Sequence, residues 1–333
     1  MVYIDDSIMQ KGCLATAGSK ILENFTAPFD ATVVSRLSLV PGTGETKRVR
    51  LSEFGLGEPG ELPGSPLLCN DVFGFVRRRA GQQGLCYIRP TYGTVSRFGL
   101  IPVAASMDQI GLVCKDPKEG YSLLSHIAGY DENDGAMFTD RSYTYKAESK
   151  EIKWYSFRSP GGKNPLDAFM EKINAKENVS GRIDRVEAPP SSAVYDQVTQ
   201  ILGYAEISNN ISRYDGIKFG YRTPNYRNLE ELYTKSRTEG FGLEAKLAAL
   251  MGYVILSKDN YEKYYDKAMK IRRLIKESLC FDKYDVVILT DDNPLAVLAG
   301  LPSLTFGYNG TGIQLAADVK KENVLLKAWE LIS

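Results

Sequence analysis

Asp285-Val286-Val287-Ile288-Leu289-Thr290 sets four consecutive aliphatic side chains, three of them β-branched, between two polar ends. A run this short suits a strand buried on both faces rather than a helix or a half-wet strand. Leu301 to Phe306 is a second such run. Around the two strands the apolar period changes. Leu243, Leu247, Leu250, Met251 and Val254 line one face of a helix, and Tyr264, Ala268, Ile271, Ile275 and Leu279 line the next, which Asp259 and Asn260 can cap. Val324, Leu325, Ala328, Leu331 and Ile332 make a final amphipathic helix. Strands that interleave with helices imply an α/β fold.

The order continues toward the N-terminus. Val2-Tyr3-Ile4 enters a strand at once, and Gly18 to Leu37 accommodates two short helices split at Pro28. From Pro41 to Pro66 there are six Gly and four Pro and no helical period, so a loop is expected. Arg89-Pro90-Thr91-Tyr92-Gly93 marks a turn. Residues 129–162 are polar and poor in aliphatics, which predicts surface loops with an edge hairpin at most. There is no internal repeat, and we expect one domain over 1–333.

Composition removes several function classes. The 333 residues carry 41 Lys+Arg against 41 Asp+Glu, so no field drives the chain onto nucleic acid or an anionic membrane. One histidine, His126, leaves no His-rich metal cage, and any imidazole triad would have to be built on it. Its place at the end of Leu123-Leu124-Ser125 favours a structural role. Five cysteines without a Cys-x-x-Cys pair read as reduced thiols. No signal peptide or membrane span is legible, which places the chain in the cytoplasm. No cofactor, metal or direct nucleic-acid partner is expected. Arg77-Arg78-Arg79 and the basic helix from Lys263 to Lys276 read as solvated or ion-paired faces.

Several blocks, in order along the chain, resemble the amidase signature family, and within it the A subunits of glutamyl-tRNA(Gln)/aspartyl-tRNA(Asn) amidotransferases. They are Ile4-Asp5-Asp6-Ser7, Ser19-Lys20-Ile21-Leu22-Glu23-Asn24-Phe25, Pro28 to Val34, Glu53-Phe54, Arg89 to Arg97, Ser106 to Gly111, Ser212-Arg213-Tyr214-Asp215-Gly216, Glu239-Gly240-Phe241-Gly242 and Leu298 to Pro302. Residues 131–190 diverge. The resemblance implies a twisted mixed β-sheet flanked by helices on both faces. It also implies hydrolysis by a lysine, a cis-peptide serine and a nucleophilic serine, with no histidine.

That machinery has no counterpart at the matching positions. Asp5 stands where the lysine is expected. Asp71, Gly74, Arg77 and Ala80 match the family and set the register, which puts Phe75 at the nucleophile and Val72 and Phe73 in the oxyanion loop. Residues 57–70 form a shortened former catalytic loop in which Ser65 is the one remaining hydroxyl, and a second shortening falls between Thr290 and Leu298. No catalytic residue is expected. Phe73 and Phe75 should fill the old pocket, and Asp5 should pair with Arg77, Arg78 or Arg79, since a lone buried carboxylate is costly. Arg213, Asp71 and Arg77 remain as candidate ligand-binding residues. Arg213 either meets a ligand carboxylate or forms an ion pair with Asp215 or Glu206.

The expectation is a degenerate amidase with a binding or assembly role, working with amidotransferase-type subunits or by self-association. The alternative is an active amide hydrolase or glutamine-dependent amidotransferase subunit whose nucleophile has moved, to Ser65, Cys69 or Cys86.

Overall fold

The computed structural model describes all residues except 44, 159–163 and 177–182. Ten strands form one mixed sheet: β1 (Val2–Asp5), β2 (Thr46–Val49), β3 (Leu67–Asn70), β4 (Cys86–Arg89), β5 (Ile110–Cys114), β6 (Trp154–Phe157), β7 (Asp184–Val186), β8 (Val286–Thr290), β9 (Ser303–Tyr308) and β10 (Thr311–Ala317). Their order is β2-β1-β3-β5-β4-β9-β10-β8-β6-β7. The outer groups, β2-β1-β3 and β8-β6-β7, are parallel, whereas the centre is antiparallel.

Helices cover both faces. On one lie α1 (Thr32–Leu37), α3 (Pro117–Ile127), α4 (Asp167–Asn174) and α10 (Glu322–Ile332), packed on Ile4, Leu68, Ile88, Leu112, Val286 and Ile288. On the other lie α2 (Phe75–Gln82), α5 (Tyr195–Ile211), α8 (Lys267–Glu277) and α9 (Leu295–Ala299), with α6 (Leu229–Gly240) and α7 (Leu243–Leu256) stacked outside. The run that opens the argument splits as a doubly covered strand must. Val286 and Ile288 join the first core, and Val287 and Leu289 join the second.

Three sequence expectations change. The Pro41–Pro66 stretch contains the edge strand β2. Among its described residues the polar segment contributes no edge hairpin: β6 lies between β8 and β7, parallel to both, with Trp154 and Tyr155 buried. Two aromatics and the neighbouring strands supplied the burial that a shortage of aliphatics concealed. The third concerns α7, whose aliphatic face is exposed at Leu243, Leu247, Leu250, Met251 and Val254. Its buried face is Ala245, Ala248, Gly252 and Ile255, and a Cβ at Gly252 would stand 2.2 Å from the Tyr204 carbonyl oxygen. Small residues let α7 lie directly on α5. His126 is exposed in the last turn of α3, with Nδ1 2.8 Å from the Ser122 carbonyl oxygen. Among the described residues no helix is long and apolar enough to cross a membrane.

Candidate functional site

Strands β1 and β3 are parallel, so their carboxyl ends, Asp5 and Asn70, emerge side by side where open α/β sheets present ligand crevices. A cavity of about 20 Å³ lies there, lined by Asp5, Ser7, Ser52, Asn70, Val72 and Val76 among others. That volume holds a water molecule and excludes an amide substrate. Asp5 is buried and accepts hydrogen bonds from the hydroxyl and backbone N–H of Ser7. Burial outweighs those bonds and, with the neighbouring Asp6, pushes the Asp5 carboxyl up to about 6. The Ser52 hydroxyl on the same wall is buried without a hydrogen-bond partner among the described residues.

The expected pairing of Asp5 with the arginine triplet does not form. Arg77 meets Asp71 at 3.5 Å and Arg78 meets Glu58 at 3.2 Å, while Arg79 donates to the Gly60 carbonyl at 3.2 Å. The cation that acts on Asp5 is Arg48, whose backbone sits opposite Ile4 in β2 and whose guanidinium donates to the Ile8 carbonyl at 2.5 Å. Local geometry explains the change. Gly74 turns the chain into α2 at φ +84°, and the Arg77 guanidinium folds back so closely over it that a Cβ there would stand 2.6 Å away. From that position Arg77 donates to the backbone carbonyls of Asp291 (2.6 Å), Asp292 (3.4 Å) and Asn293 (3.3 Å). Asp71 accepts the N–H groups of Val76 (3.1 Å) and Arg77 (3.2 Å), holding the first turn of α2. Asp71 and Arg77, 3% and 2% exposed, therefore engage each other, and Arg77 also holds the loop after β8.

Nor do the phenylalanines fill the space beside Asp5; Val72 and Val76 do. Phe75 is the half-buried first residue of α2, its ring 4.8 Å from the Arg78 guanidinium. Phe73 packs against Gly203 and Tyr204 of α5. Ser65 precedes β3 at its amino end and does not line the cavity. It is not brought to Asp5. Cys69 is fully buried, and burial, with Asp5 and Asp71 adding to it, pushes its thiol well above the ordinary range. Burial and Asp116 push the Cys86 thiol up to about 12. Both shifts oppose the thiolate a nucleophile needs. Arg213 is exposed and forms neither expected ion pair; it donates to the backbone carbonyl (2.8 Å) and the side-chain oxygen (3.2 Å) of Asn210.

Ser7 and Ser52 are the site residues that the sequence reading passed over. Ser7 had a local signal, a hydroxyl two positions after a carboxylate. Ser52 had none, because only folding brings the loop before Glu53 against β1 and β3.

Residues 68–308 match the family model described as Amidase. The A subunit of glutamyl-tRNA(Gln) amidotransferase from Listeria welshimeri is 35% identical over 328 residues, spanning 86% of this chain and 67% of the relative. The same subunit from Trichodesmium erythraeum is 32% identical over 400 residues, spanning 98% of this chain and 82% of the relative. Among solved structures, that subunit from Thermotoga maritima has a TM-score of 0.73 at 25% identity, covering 98% of this chain and 81% of its own. The native peptide amidase from Stenotrophomonas maltophilia, at 18% identity and a TM-score of 0.73 over 98% of this chain and 80% of its own, shares the fold. With a mixed sheet flanked by helices on both faces and a family match over more than half its length, the chain belongs to the amidase signature family.

Proposed function

We propose that this chain is an amidase-signature protein without a hydrolytic centre, retained in the cytoplasm for binding or assembly. The observation that carries the reading is the cavity of about 20 Å³ at the carboxyl ends of β1 and β3, walled by Val72 and Val76 and floored by a carboxylate in place of a lysine. Losing one member of a nucleophile–base unit costs on the order of 10⁴–10⁶ in rate, and losing the rest adds little. Here the lysine and nucleophile positions are Asp5 and Phe75. Purified protein incubated with glutamine, asparagine and simple amides is expected to release no ammonia above the buffer rate. Turnover abolished by Ser65→Ala or Cys69→Ala would overturn the proposal.

One observation favours a second reading. The Ser7 hydroxyl donates to Asp5, whose carboxyl burial pushes up to about 6, a hydroxyl–base pair of the kind that activates nucleophiles. Amide turnover lost in Ser7→Ala and following the ionisation of Asp5 would establish that reading in place of the first.

For assembly, the α7 face supports self-association. Leu243, Leu250 and Tyr253 are 78%, 66% and 73% exposed, with Leu247, Met251 and Val254 beside them. Such a face offers on the order of 600 Å² of apolar surface per copy, approaching the ~800 Å² per partner of a standard interface. Zero net charge sets no overall repulsion between copies. The amidotransferase relatives above are named as subunits, and a co-purifying amidotransferase-type subunit in place of a second copy would reassign the same face.

A further inference from the structure

The basic helix that reads as an ordinary wet face has part of its charge turned onto a cavity. On one side of α8 the side chains of Arg272, Arg273 and Lys276 line a hollow of about 460 Å³, together with the aromatic rings of Tyr92 and Phe138 and the Met269 side chain. No acidic residue lines it.

The charges around it do not cancel. Arg273 is paired with Glu277 at 2.7 Å. Lys320, near Phe138, is paired with Asp140 at 2.6 Å. Lys276 has no carboxylate partner among the described residues, and burial, aided by Arg272, lowers its pKa. Arg272 is 8% exposed and held rigidly: Nε donates to the Leu298 carbonyl (2.7 Å), Nη1 to the Ser106 hydroxyl (2.8 Å) and Nη2 to the Ser106 carbonyl (2.8 Å). Three of its five N–H groups are thereby used. Glu206 is its nearest counter-charge, but that carboxylate accepts the N–H (2.9 Å) and O–H (2.5 Å) of Ser106 rather than contacting Arg272. A fixed guanidinium with spare donors and an unpaired ammonium, set in a hollow with aromatic walls, form a built environment for negative charge.

We propose that this cavity binds a small organic anion, its carboxylate or phosphate against Arg272 and Lys276 and its apolar body against Tyr92, Phe138 and Met269. The site is separate from the cavity at Asp5 and holds whether or not the chain hydrolyses amides.

The test titrates the whole protein with benzoate, phenyl phosphate and uncharged benzyl alcohol, followed by ligand-observed NMR and calorimetry. Benzoate, phenyl phosphate or both are expected to bind at least tenfold more tightly than benzyl alcohol; which of them binds assigns the head group. Lys276→Met, at an exposed position of α8, should weaken the anion severalfold or more while leaving the melting curve in place. Lys218→Met, on a different surface hollow, should leave binding unchanged. Benzyl alcohol binding as tightly as the anions would overturn the proposal. So would unchanged anion affinity in Lys276→Met.

Discussion

Asp5 shows how one residue inverts the electrostatics of a site. An acid whose folded pKa is raised, here from 3.8 to about 6, favours folding while it is protonated. Its contribution is complete below the unfolded value and is lost as pH rises through 6. By pH 7.5 the loss amounts to at most about 3 kcal/mol. Asp5→Asn keeps the shape and removes the titration. Urea unfolding should therefore find Asp5→Asn more stable than the wild type at pH 7.5, with the difference shrinking toward pH 4; a difference constant across that range would refute the assignment. Gly74 makes a second prediction. A side chain there meets both a left-handed φ and the Arg77 guanidinium, so Gly74→Ala should destabilise by about 2–4 kcal/mol in the same assay. The identities Asp5 and Phe75 were legible in the sequence because each position holds one residue. The backbone carbonyls that Arg77 holds were not, because the first of them, Asp291, lies 214 positions away.

At the scale of elements, helical period was readable and its sense was not. The residues of α7 do fall on one aliphatic face, but that face looks outward, and the contact with α5 is made through Ala245, Ala248 and Gly252. Paired substitutions separate the two faces. Gly252→Val drives a side chain into Tyr204 and Ser208 and should cost about 3 kcal/mol or more. Leu250→Lys on the outer face, compared with the wild type at a concentration too low for self-association, should leave stability within about 0.5 kcal/mol. Thermal or urea unfolding of the two variants checks both. Strand β6 fails in the opposite direction. Its flanks are polar, and only pairing with β7 and β8 discloses that Trp154 and Tyr155 are interior.

For the whole molecule, the sheet order brings β1 and β3 together and closes the crevice at their carboxyl ends to the size of a water, while α8 and the turn after β4 enclose a much larger hollow elsewhere. The larger cavity thus lies away from the position where the family resemblance places the active site. The open face of α7 sets the prediction at this scale. Light scattering behind size exclusion should find a dimer that Leu250→Lys converts to a monomer without unfolding; a monomeric wild type at high micromolar concentration would rule out self-association through α7. By itself the sequence determined the α/β class, the ordered family blocks and the chemical identity of every position, including a carboxylate and a phenyl ring where a lysine and a serine were expected. Only the tertiary structure decided which side chains wall the cavity at Asp5, that Arg77 holds the loop after β8 while Asp71 holds the first turn of α2, and that Arg272 and Lys276 share a hollow. The physical reason is range: propensity and period act over a few residues, whereas cavities and ion pairs arise where crossovers join positions a hundred or more residues apart.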